Sequence, residues 1–232
     1  MHAALGHFAK RFPERLPDDP QAELIACAET ALKELTGSPR VAAFWAPRFA
    51  RFAAWFAATE PGRRAGVART LAEIAGEHVL AGPAGPFTLT ARADRIDGGA
   101  DGVIITDYKT GANVKERVAR ALAGIEPQLA LEAAIAAAGG FTGVRGAIVD
   151  LRYISTSGGE PPGLECSLGR GEADCGGLAG AATAGLTRLI AAFDAPNTPY
   201  TALRRPRFSY RFDAYAHLAR VAEWSFDAAE EG

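Results

Sequence analysis

A layered α/β domain is what this sequence predicts: a helical N-terminal segment, then a central mixed sheet flanked by helices. Three observations point there. Apolar residues recur at helical spacing through residues 18–60. From about Thr70 the pattern changes to apolar stretches divided by glycine-rich turns. Beyond Pro127 an alanine-rich helical stretch is followed by the apolar run Val144 to Ile154, which has strand character.

Residues 18–36 read as a helix: Asp18 or Asp19 can cap it, Pro20 suits its first turn, Leu24, Ala28, Leu32 and Leu35 form a stripe, and Gly37 stops it. Pro39 to Glu60 reads as a second helix, entered or broken at Pro47. Its Trp45, Phe49, Phe52, Trp55 and Phe56 recur at helical spacing and are assigned to the core. Leu71 to Leu80 and Phe87 to Ile96 flank the turn Gly82-Pro83-Ala84-Gly85-Pro86, and Val103 to Lys109 follows a second turn, giving a three-strand meander. Pro127 opens a helix through Ala138, ended by Gly139-Gly140. After the strand at 144–154, the glycine- and proline-rich stretch 155–171 reads as an exposed loop. An alanine-rich helix around 178–193 and a last helix from Asp213 to about Phe226 complete the chain. No repeat or strong linker divides the 232 residues, so one domain is expected, with a helical part at 1–66 and the sheet with its flanking helices at 67–232.

A hydrophobic content of 48% and a charged content of 22% fit a soluble globular protein. No uninterrupted apolar run approaches the roughly 20 residues that span a bilayer, so no membrane partner is expected. Met1 to His7 lacks the basic start and apolar stretch of a signal peptide. The three cysteines, Cys27, Cys166 and Cys175, are too few and scattered for a disulfide framework or a four-cysteine metal site, and a reduced, cytoplasmic setting is the expectation. A net charge of −2 argues against a uniformly basic nucleic-acid binder, yet the charge is uneven. Residues 40–69 hold Arg40, Arg48, Arg51, Arg63, Arg64 and Arg69 against one acid, Glu60. Arg204, Arg205, Arg207 and Arg211 interleave with Phe208, Tyr210 and Phe212. Such patches can contact phosphates and stack bases; the alternative for each is a solvated arginine surface.

The chemistry concentrates at the second turn. Gly98-Gly99-Ala100-Asp101-Gly102 supplies the positive-φ positions of a tight reversal. With Ala100 and Asp101 as the turn residues, Gly99 faces Gly102, Asp97 faces Ile104 and Asp94 faces Asp107. Opposed residues hold their Cβ atoms about 5 Å apart, where two like charges repel. A hard divalent cation reverses that sign, because it binds carboxylate oxygens. Alternation along the strand puts Lys109 on the face of Asp107 and Tyr108 on the other. The chain has 21 arginines and four lysines (Lys10, Lys33, Lys109 and Lys115), so a lysine here suits a need for a compact ammonium.

Gln128 and Glu132, four apart on the helix after the hairpin, share a face, and the glutamine can orient a water or a phosphate oxygen. Two carboxylates, a lysine and a divalent ion suit hydrolysis of a phosphodiester. Asp94 is the main anchoring carboxylate and Asp107 a second ligand, with the Thr106 and Tyr108 carbonyls as candidate oxygens. Structural salt pairing is the alternative for the bare pattern.

The segments Ala91-Arg92-Ala93-Asp94-Arg95-Ile96-Asp97, Ile105-Thr106-Asp107-Tyr108-Lys109-Thr110-Gly111 and Pro127-Gln128-Leu129-Ala130-Leu131-Glu132 resemble the PD-(D/E)XK nuclease superfamily. More narrowly, they resemble the RecB-like nuclease domain at the C-terminus of AddB-type helicase–nuclease subunits. His2-Ala3-Ala4-Leu5 is similar to that family's histidine-containing helix. Pro199-Tyr200 and the run Asp213 to Arg220, leading into Glu223-Trp224, agree with it. The resemblance implies a three-layer restriction-endonuclease-like fold, with Asp94 and Asp107 as metal ligands, Lys109 as the catalytic lysine, Gln128 as the supporting glutamine and His2 as a contributor to the metal site. His7 is a secondary candidate for that last place. It implies Mg²⁺ or Mn²⁺ as cofactor, DNA as substrate at single strands or ends, exonuclease rather than endonuclease action, a place in double-strand-break repair and an AddA-type partner subunit. Arg204, Arg205 and Arg207 become candidate DNA contacts.

Glu132 stands where RecB-like nucleases often have tyrosine, and its role is open. The three cysteines do not provide the iron–sulfur cluster of some AddB-type subunits, and none is expected. No phosphate-binding loop and no helicase-like region are seen, which reads as an excised or naturally short nuclease domain. The competing readings are a DNA-binding or subunit-docking module that keeps the fold but cuts poorly in isolation, and a hydrolase of small phosphate esters.

Overall fold

The computed structural model describes residues 1–35, 39–111 and 113–199. Three helices, α1 (His2–Arg11), α2 (Pro20–Leu35) and α3 (Pro39–Arg63), precede the antiparallel strands β1 (Val67–Gly82), β2 (Gly85–Gly99) and β3 (Gly102–Lys109). Helices α4 (Val114–Leu122) and α5 (Gln128–Ala137) cross over to β4 (Ile148–Ser155), then come β5 (Leu164–Arg170) and α6 (Glu172–Asp194). The five strands lie in the order β1-β2-β3-β4-β5. Only the β3–β4 pair is parallel. A parallel neighbour needs a long crossover, and α4 with α5 supplies it. The chain divides into two units, Met1–Ala191 and Ala192–Gly232.

The sheet separates two apolar clusters. On one face Leu5, Phe8, Leu24, Phe49, Phe52 and Phe56 of α1–α3 pack with Tyr108 and Ile154. On the other, Val114, Leu129, Ile135 and Cys175 of α4–α6 pack with Ile96, Ile105, Leu151 and Tyr153. Neighbouring residues on β3 and β4 thus point to opposite layers, as strand pleating requires. The helical N-terminal segment, the mixed sheet and the flanking helices match the expected α/β architecture.

The meander adopts the expected register: Gly99 pairs with Gly102, Asp97 with Ile104 and Arg95 with Thr106. Gly102 has φ +127, and a Cβ there would lie 2.6 Å from the Ala147 carbonyl oxygen, so only glycine closes this turn.

Three expectations need correction. The stretch 155–171 is not all loop: Leu164–Arg170 forms the edge strand β5, antiparallel to β4. Its ladder to β4 and the burial of Leu168 outweigh a local sequence with little strand signal. Helix α4 occupies a stretch to which no element was assigned, and only Val114 and Ala121 of it are buried. Helix α6, unlike the sequence expectation, is long and apolar enough by length and composition to cross a membrane. Its Cys175 and Ala179 belong to the core cluster. The expected helix at 213–226 and the cluster of Arg204, Arg205, Arg207 and Arg211 with its aromatics lie outside the described residues.

The basic stretch 40–69 is in part neither solvated nor turned to phosphate. Glu60, fully buried, accepts from Arg63 Nη1 at 2.7 Å, Arg64 Nε at 2.9 Å and Arg95 Nη1 at 3.1 Å. The i+3 and i+4 spacing on α3 brings Arg63 and Arg64 to Glu60, while Arg95 reaches it from β2. Arg95 Nε bonds Asp97 Oδ2 at 2.8 Å, and Thr70 of β1 donates to the same carboxylate. Arg63 Nε extends the network to Glu165 of β5 at 2.8 Å. Burial alone would raise the Glu60 carboxyl, but the Arg95, Arg63 and Arg64 cations outweigh it and hold it below the usual range. Arg51 Nε donates to the Gly158 carbonyl at 2.8 Å, and Arg69 is exposed. The Arg40 side chain is outside the description.

Removing one member of a buried ion network leaves the others uncompensated. Glu60→Gln is expected to cost about 3–5 kcal/mol of stability in urea unfolding. A loss below about 1 kcal/mol, the size typical of exposed pairs, would contradict a clamping role.

Candidate active site

Asp94 sits where the β2–β3 ladder gives out. The last backbone-paired residues are Arg95 and Thr106, and beyond them the Tyr108 N–H donates to Asp94 Oδ2 at 2.9 Å. On the other side of β2, Glu73 falls between the pairs Ala72–Arg95 and Ile74–Ala93 and has φ +52. A left-handed residue inside a strand distorts it locally, and strain of this kind gathers at functional sites. His2, the first residue of α1, puts Nε2 3.5 Å from Asp94 Oδ2 and 2.5 Å from the Tyr108 carbonyl oxygen.

Asp107 and Lys109 share a face of β3, as alternation predicts. Lys109 Nζ lies 2.7 Å from Asp107 Oδ2, in ion-pair contact without hydrogen-bond angles. Tyr108 turns to the opposite layer, among the side chains of α1–α3. Gln128 opens α5 directly after Pro127 and reaches into the pair from above: its Nε2 donates to Asp107 Oδ1 at 2.7 Å, and its Oε1 accepts from Lys109 Nζ at 3.0 Å. The structure therefore brings Asp107, Lys109 and Gln128 into one bonded chain, and holds His2 and Asp94 together on the Tyr108 backbone.

Burial dominates the electrostatics. It pushes Asp94 above the usual carboxylate range, with the charges of Asp107 and Glu73 adding to it and the Tyr108 N–H and His2 opposing. It raises Asp107 also, against the Lys109 ammonium and the Gln128 amide. Two largely desolvated carboxylates that resist ionising together attract a cation.

The donors fit a hard divalent ion. Asp94, Asp107 and the Tyr108 carbonyl all offer oxygen, the donor that Mg²⁺ and Mn²⁺ prefer. Among the described residues no three His, Cys, Asp or Glu side chains converge as a preformed cage. Mg²⁺ does not need one, because it is held by one or two carboxylates and keeps waters or substrate oxygens in its other positions.

Two neighbours, Glu73 and Tyr153, escaped sequence reasoning. Glu73 had no motif to mark it; only the β1–β2 register sets it opposite Asp94. The Tyr153 ring lies 5.4 Å from Lys109 Nζ, a cation–π distance, because β4 runs parallel to β3 and pairs Tyr153 with Asp107. Glu132, whose place next to Gln128 was legible from the i+4 spacing, is 2% exposed and accepts from Gln128 Nε2 at 3.1 Å. Burial, with the charges of Asp107 and Asp94, pushes its carboxyl up to about 8 against the Gln128 bond. Of the cysteines, Cys27 and Cys175 are buried, and Cys166 lies on β5.

A family profile of the PD-(D/E)XK nuclease superfamily matches residues 1–202, which include every residue of this site. Comparison with curated proteins finds no match.

The raised carboxyl of Glu132 has a consequence for stability. Between its ordinary pKa and about 8 the folded protein keeps a proton that the unfolded chain has lost, so stability falls as pH rises through that window. In metal-free buffer Glu132→Gln is expected to melt several degrees above the native protein at pH 8, with the gap closing towards pH 5. Thermal melts across pH check this; a gap that stays constant or widens on acidification would contradict it.

Proposed function

The chain belongs to the PD-(D/E)XK nuclease superfamily, and on that footing we propose that it is a divalent-metal-dependent deoxyribonuclease that hydrolyses phosphodiester bonds through Asp94, Asp107, Lys109 and Gln128. The observation that carries the reading is the bonded chain Asp107–Lys109–Gln128 beside the Asp94 carboxylate.

Asp94 and Asp107 would hold Mg²⁺ or Mn²⁺ with the Tyr108 carbonyl. When bound, the ion supplies Lewis-acid polarisation and charge neutralisation for the phosphodiester. The Asp94 carboxylate is fixed for this by the Tyr108 N–H, and His2 backs the same strand segment through the Tyr108 carbonyl. Lys109 is held between Asp107 and Gln128 with its ammonium over Tyr153, so it enters the reaction already oriented. From there it can position the attacking water and stabilise the charge that grows on the phosphoryl oxygens.

A finer assignment follows from the same residues. His2 at the start of α1, Asp94, the Asp107-x-Lys109 pair and Gln128 support a RecB-like nuclease domain of the AddB type. Such a domain acts as an exonuclease on DNA ends or single strands in cytoplasmic double-strand-break repair, fed by a partner helicase–nuclease subunit. Arg204, Arg205 and Arg207 are proposed as DNA contacts on the strength of their charge and interleaved aromatics alone.

Asp107→Ala and Lys109→Ala are each expected to lower Mg²⁺-dependent cleavage of single-stranded DNA by about 10²-fold or more, with circular dichroism and metal-free DNA binding largely retained. Wild-type rates in either variant would overturn the site. Native protein that binds DNA but cuts none with Mg²⁺ or Mn²⁺ would favour the binding-module reading instead.

A further inference from the structure

Gln128 makes three polar contacts, and their directions are not interchangeable. Its carboxamide has two N–H donors at one end and one acceptor oxygen at the other. One Nε2 proton goes to Asp107 Oδ1 at 2.7 Å, and Nε2 also lies 3.1 Å from Glu132 Oε1. Both partners are carboxyl acceptors, so the amine end is committed to them and the carbonyl end must face Lys109 Nζ, a group with donors only. With Glu132 absent, one N–H would be free and the carboxamide could swing about its Asp107 bond.

Glu132 itself is an expensive residue to keep. It is 2% exposed, and its Oε2 is buried without a hydrogen-bond partner among the described residues. An orphaned buried oxygen carries an uncompensated desolvation cost, and its neighbours on α5, Leu129, Ala133 and Ile135, belong to the core, where an apolar side chain would bury without that cost. Retaining a carboxyl at such a position calls for a role other than packing.

We infer that Glu132 is a positioning residue: by holding the second amide proton of Gln128 it fixes the carboxamide, and through the carboxamide oxygen it fixes the direction of the Lys109 ammonium. It touches neither substrate nor reacting atoms. The inference rests on the nuclease reading for its effect on rate, while the geometry of the Gln128 side chain can be followed without DNA or metal.

The test uses the full chain in three forms: native, Glu132→Leu, which removes the acceptor, and Glu132→Gln, whose amide oxygen can accept the same bond. Glu132→Met serves in place of the leucine variant if that protein does not fold. The Gln128 side-chain amide resonances, assigned by their loss in Gln128→Ala, are expected to be well dispersed in native protein, to move to free-carboxamide positions in Glu132→Leu and to return in Glu132→Gln. The leucine variant should melt no lower than native protein, yet lose about tenfold or more in kcat, the change that one oriented hydrogen bond commands. Its KM for single-stranded DNA should stay within about twofold of native, the sign of an interaction used in the transition state rather than in binding. The glutamine variant should recover most of the rate. Unmoved Gln128 resonances in Glu132→Leu, or a glutamine variant as slow as the leucine one, would overturn the inference. Native protein that cuts no DNA while its Gln128 resonances respond as described would instead overturn the nuclease reading and leave the positioning contact standing.

Discussion

The site depends on one constraint: the register between β2 and β3. The turn at Gly99–Gly102 fixes which residues oppose one another, and each step of the ladder inherits that choice. Slipping by one residue would send Asp107 and Lys109 into the layer of α1–α3 and bring Tyr108 to the face of Gln128. Because Gly102 must be glycine to pass the Ala147 carbonyl, the crossover that returns to β4 also bears on the turn. The register thus links the reaction site to the closure of the sheet. It also determines where the ladder stops, which frees the Tyr108 N–H for Asp94.

The two faces of the sheet use charge in different ways. On the α1–α3 side Glu60 and Asp97 pair with Arg63, Arg64 and Arg95 and tie α3 to β2. With Glu165 on Arg63, each carboxylate of that network has an arginine partner. On the α4–α5 side Asp107 and Glu132 share the Lys109 ammonium, Asp94 has His2 beside it, and all three carboxyls are pushed up by burial. The excess of acid over base is what suits that face to a divalent ion and, with it, a phosphate.

Much of this was legible in the sequence, for definable reasons. A glycine-rich turn sets a short-range register, so the pairing of Gly99 with Gly102 and of Asp97 with Ile104 and the shared face of Asp107 and Lys109 could be derived from residue counting, while the ladder itself ends at Arg95 and Thr106, one step short of Asp94 and Asp107. The i+4 spacing placed Gln128 and Glu132 together in the same way. What could not be derived is non-local. Strand β5 has a weak pattern and forms through its pairing with β4. Tyr153 meets Lys109 because of a parallel register that no turn dictates. Arg63 and Arg64, which read as surface charge beside a lone acid, are buried because Arg95 arrives from a distant strand to share Glu60. The burial that changes Glu132 from a surface acid into a raised carboxyl is likewise a property of the packed α5.

Crystals soaked in Mn²⁺ and measured for anomalous scattering give the most direct test of a metal-dependent nuclease centre at this hairpin. A peak ligated by oxygens of both Asp94 and Asp107, next to the Tyr108 carbonyl, is the expected result. No peak between the two carboxylates at saturating Mn²⁺, or binding only at carboxylates elsewhere on the chain, would contradict it.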